Sequence, residues 1–305
     1  MNKFRLAFQA FSLVGLSLVF SAIADAQATR TWVSGTGDDV NICSRAFPCA
    51  TFTGALSKTS IGGEINCVDA DNYGTVTINK SITIDCEDTQ GTISATAISG
   101  ITINLTDPAD TAKTVRVRGL SINGFGTGTN GVKIVAATKV ALEEVVIDGF
   151  GTHGVSILTT AGALSFVMKD STVRNNVGNG INTFLTGAAT ATISVDGSLF
   201  AFNGVGFNQG VATTTSIQNS AMTNNTTGIQ ANGSTSILGV KDCVVSHNTT
   251  GVLAGSSATV RIGGNIITGN TTGLSGSAIL TWDSNNLIDG NSGGNGLVTG
   301  FASAQ

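Results

Sequence analysis

The 305-residue chain predicts an all-β fold: a three-sheet parallel β-solenoid with about 21–27 residues per coil, closed at its N-terminal end by a short helix. Three observations carry this. A glycine is followed by an apolar residue eight times, at Gly131-Val132, Gly154-Val155, Gly180-Ile181, Gly206-Phe207, Gly228-Ile229, Gly251-Val252, Gly273-Leu274 and Gly296-Leu297, at steps of 22 to 26 residues. An apolar column repeats in the same register at Ile122, Ile147, Val173, Phe200, Met222, Val245, Ile267 and Ile288. Three positions later stand Phe125 and Phe150, then six successive asparagines, Asn176, Asn203, Asn225, Asn248, Asn270 and Asn291. A period of this size describes units that cannot bury their apolar face alone, and one asparagine per coil describes a stacked amide ladder.

Residues 1–26 carry Lys3 and Arg5, an apolar run from Leu6 to Phe20, and a small-residue stretch ending at Ala26. That layout predicts a secretory signal peptide; the run is too short, and too soon interrupted by Gln9, for a comfortable membrane anchor. Its removal takes away Lys3, Arg5 and Asp25, so the net charge moves from -4 to -5. With 11% charged residues and no basic stretch, the electrostatic footprint of a nucleic-acid binder is absent.

Residues 27–60 precede the coils. Thr31 to Ser34 reads as a strand, Gly35 to Pro48 as a loop, and Ala50 to Thr59 as a short amphipathic helix with Phe52, Ala55, Leu56 and Thr59 on one face, placed as a lid over the first coil. Four of the five cysteines, Cys43, Cys49, Cys67 and Cys86, fall toward the N-terminal end of the chain. In an exported chain they suit two disulfides; of the three possible pairings, Cys43 with Cys49 and Cys67 with Cys86 is favoured, the second joining neighbouring coils.

The coils are expected over residues 61–298. Two positions before the apolar column stand Leu120, Val145, Ser171, Ser198, Ser220, Cys243, Asn265 and Asn286, which the two-residue alternation of a strand places inside. Cys243 is therefore a buried, serine-like residue. A third short strand per coil appears at 192–195, 216–218, 236–238 and 260–262, giving three strands joined by Gly/Asn/Thr turns. A leucine-rich repeat would need a leucine framework, and a propeller blade about twice the period. Residues 299–305 read as a frayed tail.

With the Asn-x-x-Gly-apolar turns, such as Asn225 to Ile229, and the asparagine column in place, the chain resembles the secreted bacterial right-handed parallel β-helix proteins of the pectate-lyase-like superfamily (pectin lyase fold). The resemblance spans roughly residues 60 to 298. It implies a right-handed coil, and it matches no specific enzyme family, since the superfamily holds lyases, hydrolases, esterases, adhesins and proteins without known activity.

Candidate chemistry is sparse. Four positions before the apolar column lies an outward row, Arg118, Glu143, Lys169, Asp196, Gln218 and Lys241, whose first four signs alternate and suit stacked ion pairs. Arg118, Asp148, His153, Lys169 and Arg174, together with Glu143 and Glu144, are the candidate catalytic or glycan-contacting patch. His153, in Gly-Thr-His-Gly, resembles the Gly-His-Gly turn of polygalacturonases, but the adjacent aspartates those enzymes use are matched only by Asp38-Asp39, ahead of the coils. The Arg-x-Pro-x-x-Arg motif of pectate lyases is excluded, because neither Pro48 nor Pro108 has an arginine two residues before it. Asp69, Asp71, Asp85 and Glu87 form an oxygen-rich cluster that could hold calcium. Asn225, Asn248 and Asn270 fit the glycosylation triplet but occupy the inward ladder.

The expected function is an exported scaffold or surface protein, periplasmic, extracellular or on the cell surface, with polysaccharide or extracellular matrix as partner. No nucleic acid, no membrane span after leader removal, no cofactor beyond the calcium candidate and no defined oligomeric state are read from the chain. The alternative is a carbohydrate-active enzyme, a polysaccharide lyase or glycoside hydrolase acting on acidic polysaccharide through the patch around Arg118.

Overall fold

The structure, a computed structural model, describes residues 27–233, 236–255, 257–281 and 285–301. The signal-peptide assignment lies outside the described residues, as does the end of the C-terminal tail.

Among the described residues the strands form one 12-stranded and two nine-stranded sheets, with every strand pair parallel. The chain passes from the first sheet to the second, then the third, and back to the first one coil further along: Lys139–Glu143, Val146–Asp148 and His153–Ile157 are followed by Ala163–Lys169. The three apolar inner faces meet in one continuous core that includes Ile122, Ile147, Phe166, Phe200, Met222 and Ile267.

Each corner has its own chemistry. Between the first and second sheets the turn needs one left-handed residue, supplied by Gly119, Glu144, Asp170, Gly197, Asn219, Asp242 and Gly264 in successive coils, with φ between 47° and 66°. Asparagine, aspartate and glycine tolerate that conformation best, which accounts for the polar character of the row. Between the second and third sheets the left-handed place is taken by Gly149, Asn175, Phe202, Asn224, His247, Gly269 and Gly290. His247 is thus a corner residue.

The repeating glycines start the third sheet, and their requirement is steric. A Cβ on Gly206 would lie 2.5 Å from the carbonyl oxygen of Gly228, and one on Gly228 would lie 2.7 Å from that of Gly251. From Gly131 to Gly251 each glycine is pressed against the backbone of the next one, so no side chain fits in the column; the eighth pair departs from it, Gly296 lying outside the strands and Leu297 being 81% exposed. The asparagine ladder lies beside it. Asn203 Nδ2 donates to Asn225 Oδ1 at 3.1 Å, Asn225 to Asn248 at 3.2 Å, Asn248 to Asn270 at 3.0 Å and Asn270 to Asn291 at 3.0 Å. Each Oδ1 also accepts the backbone N–H of the preceding ladder residue, as Asn225 Oδ1 does from Asn203 at 2.9 Å. The buried amides are fully used. Phe150 is buried at the head of this ladder, whereas Phe125 departs from the column: it is 61% exposed, with φ 49°.

The inner serine row behaves likewise. Ser198 Oγ accepts from the Ser171 N–H at 3.2 Å and donates to the Asp196 carbonyl at 2.9 Å. Cys243 takes the same place, its Sγ donating to the Lys241 carbonyl at 3.2 Å, and burial pushes its thiol pKa up to about 11.

The N-terminal strand Ala28–Val33 pairs with Thr59–Cys67 to begin the first sheet. The helix Phe52–Lys58 starts at the N-cap Thr51, whose hydroxyl accepts from Gly54 N–H at 2.9 Å, and buries Phe52, Ala55 and Leu56. Disulfides join Cys43 to Cys49 and Cys67 to Cys86. A Cβ at Gly91 would lie 2.9 Å from Cys67 Sγ and 3.1 Å from the Tyr73 ring, so the second disulfide needs a glycine in the adjoining coil. At the other end, part of the stretch read as a tail is ordered: Gly300–Phe301 pairs in parallel with Leu280 and Thr281.

Candidate functional site

Arg118, Glu143, Lys169, Asp196, Gln218 and Lys241 stand opposite one another in register on the outer face of the first sheet. At the top of the row Arg118 reaches Asp85 at 3.0 Å and Glu143 at 3.2 Å, and also pairs with Glu87. Glu143 is shared with Arg116 at 2.6 Å. Burial opposes the charge on Arg118, but Asp85, Glu87 and Glu143 overcome it and raise its pKa, so the guanidinium is neutralised in place. Further down, the alternation does not become a continuous ladder. Lys169 pairs with its chain neighbour Asp170 at 3.3 Å, and Lys241 with Asp242 at 3.6 Å. Asp170 and Asp242 also line a shallow groove of about 580 Å³ at the corner between the first and second sheets, floored by Leu199, Ala221 and Val244.

The remaining patch residues point elsewhere. Asp148 and Arg174 pair at 2.9 Å on the outer face of the second sheet, and Asn175 donates to the same carboxylate at 2.8 Å. His153 opens a strand of the third sheet; its Nδ1 accepts the Asn179 N–H at 3.0 Å, and burial lowers its pKa, which favours the neutral ring. Glu144 is a left-handed corner residue. The five candidates Arg118, Asp148, His153, Lys169 and Arg174 are therefore distributed over three sheets facing three directions, and of them only Asp148 and Arg174 meet, as a salt bridge. They lie on three successive coils, and adjacent segments of one coil face different sides of the prism.

The oxygen cluster also divides. Asp85 and Glu87 face Arg118. Asp69 accepts from Ser34 Oγ at 2.6 Å, Gly35 N–H at 2.9 Å and Tyr73 Oη at 2.7 Å, and the Ser34 bond leads in holding its carboxyl below the usual range against the cost of burial. Asp71 Oδ1 accepts from the N–H of Asn72 at 2.6 Å. Among the described residues no group of three or more His, Cys, Asp or Glu side chains is arranged to hold a metal ion.

The third sheet presents a different outer surface, which the reading of the sequence did not single out. Thr77, Thr102 and Lys133 are opposite one another in register. With Thr53 of the helix, Ser99 and Thr129 they line a second groove of about 580 Å³, beside the exposed Ile98. Further along the sheet Asn182, Asn208, Gln230 and Asn232 form a linked amide surface: Asn208 Nδ2 donates to Asn182 Oδ1 at 2.8 Å, Asn232 Nδ2 to Asn208 Oδ1 at 2.9 Å, and Gln230 Nε2 to Asn232 Oδ1 at 2.9 Å. The signal was present two residues after each repeating glycine from Gly131 to Gly273, where the chain reads Lys133, Ser156, Asn182, Asn208, Gln230, Leu253 and Ser275.

The family model described as "Right handed beta helix region" matches residues 134–292, more than half of the chain. The chain belongs to that family. Among solved structures it is similar to the pectate lyase Pel9A, with a TM-score of 0.58 and 13% identity over 86% of this chain and 79% of that one. It is also similar to the A-module of the mannuronan C-5 epimerase AlgE6 of Azotobacter vinelandii, with a TM-score of 0.41 and 15% identity over 90% of this chain and 89% of that one. At these identities the likeness is one of fold. Comparison with curated proteins finds no similar sequence. No helix among the described residues is long and apolar enough to cross a membrane.

Proposed function

We propose that the protein is an exported β-helix scaffold that binds polysaccharide on its outer faces, in the periplasm, outside the cell or on its surface. The polysaccharide class is carried over from the pectate lyase whose fold the chain shares. Binding is favoured over turnover by one observation: Arg118, the most embedded cation of the candidate patch, is ion-paired with Asp85, Glu87 and Glu143, while Asp148 and His153 lie on other faces. Acid and base groups must reach the same reacting atoms to work together, and these do not. The two disulfides suit an oxidising compartment.

The test is a panel of neutral and acidic polysaccharides offered to the chain from residue 27 onward, scored for retention and for released reducing ends or unsaturated products. Retention without products is expected. Turnover that disappears in Arg118→Gln or His153→Ala would replace this reading with that of a carbohydrate-active enzyme on acidic polysaccharide.

A further inference from the structure

We infer that the groove at the N-terminal end of the third sheet is the glycan-docking site, and that it takes a sugar carboxylate on Lys133. The inference rests on the proposed polysaccharide function and gives that function a place and a ligand class.

Lys133, like Arg45, Lys113, Lys139 and Arg261, stands without an ion pair among the described residues, and what sets it apart is the groove that it lines. Arg116, Arg118, Lys169, Arg174 and Lys241 are each within ion-pair distance of a carboxylate. Lys133 has no such partner among the described residues, and no acidic residue lines its groove. On a chain of net charge -4, an ammonium left without a counter-charge inside a cavity is a standing attraction for an anion.

The walls supply what a sugar needs besides charge. Thr77, Thr102 and Thr129 bring hydroxyls, which both donate and accept, and Ser99 and Thr129 are already linked to each other at 2.9 Å. Ile98, 53% exposed, offers an aliphatic surface to the C–H face of a pyranose. A planar carboxylate can accept from the ammonium of Lys133 while ring hydroxyls meet the threonines, a combination of one charge-assisted and several neutral hydrogen bonds. A polar surface lies further along the same sheet. In the next coil the buried Ser156 stands opposite Lys133, and beyond it the amides of Asn182, Asn208 and Gln230 continue the same register at about 4.8 Å per coil. These hydroxyl and amide groups suit a linear chain lying along the solenoid axis. No aromatic ring lines the groove, so affinity depends on charge and hydrogen bonds and is sensitive to salt.

The experiment is calorimetric titration of the chain from residue 27 with a galacturonate hexamer, its carboxyl-reduced counterpart and a sulfated neutral hexamer, at low and high salt. The acidic hexamer should bind, weaken with salt, and lose about tenfold or more in affinity in Lys133→Gln. Lys133→Arg should retain most of the binding, and Lys139→Gln, on the first sheet, all of it. Equal binding of the carboxyl-reduced or the sulfated hexamer would overturn the carboxylate assignment. Unchanged acidic-glycan binding in Lys133→Gln would overturn the site while leaving the polysaccharide function standing. Failure of the unaltered protein to bind any glycan in the wider panel would remove both.

Discussion

At the residue scale the protein is governed by side chains that have one place to go. Asn225 accepts two hydrogen bonds from Asn203 and donates to the Phe200 carbonyl at 3.0 Å and to Asn248 at 3.2 Å. Asn225→Ala leaves several of these groups buried and unpaired, and should cost about 1–3 kcal/mol in denaturant unfolding. An unchanged midpoint would contradict the ladder. Gly206→Ala forces a methyl against the Gly228 carbonyl and should cost about as much through overpacking, although alanine is otherwise the mildest replacement. Asp110 provides a pH readout. Burial alone would raise its pKa, but hydrogen bonds from Ser81, Lys113 and Ala112 hold it below the ordinary 3.8. Its folded-state pKa is depressed, so its contribution is present above the unfolded value and is lost as pH falls through the folded one. Asp110→Asn should lower stability at neutral pH and flatten the loss on acidification.

At the element scale the columns were legible because each is selected by a single physical demand: no room at the glycines, stacked amides at the asparagines, burial in the core at the apolar column. The helix was legible for the same reason, since Phe52, Ala55 and Leu56 all turn to one side. Thr51→Ala removes its N-cap and should cost about 1 kcal/mol. The site was less legible. Asp148 and His153 are five positions apart, but the coil turns a corner between them, and Arg118 stands on the preceding coil on a third face. The outer row of the third sheet was concealed for another reason. The column runs Lys133, Ser156, Asn182, Asn208, Gln230 and Leu253, so its three amides are flanked by unlike residues and the row gives no repeat through the whole solenoid.

At the scale of the whole molecule the two ends are unlike. The first coil is sheltered by the helix and tied by two disulfides, while the second and third sheets end in the edge strands Leu287–Asp289 and Thr272–Gly276. In a stack whose units contact only their neighbours, opening starts where one neighbour is missing. Amides of Leu287–Asp289 should therefore exchange with solvent well before those of Lys139–Glu143 in native-state hydrogen exchange; equal rates would show a cooperative unit spanning the whole solenoid.

The corner from the first to the second sheet keeps two residues in coil after coil, between Glu143 and Val146, Lys169 and Thr172, or Lys241 and Val244. The return from the third sheet to the first is elastic: five residues separate Ile157 from Ala163, and two separate Gly276 from Ile279. One edge of the prism is thus a fixed spine and another an expansion joint, where lineages can lengthen the chain and engineers can splice in a foreign peptide without shifting the stack.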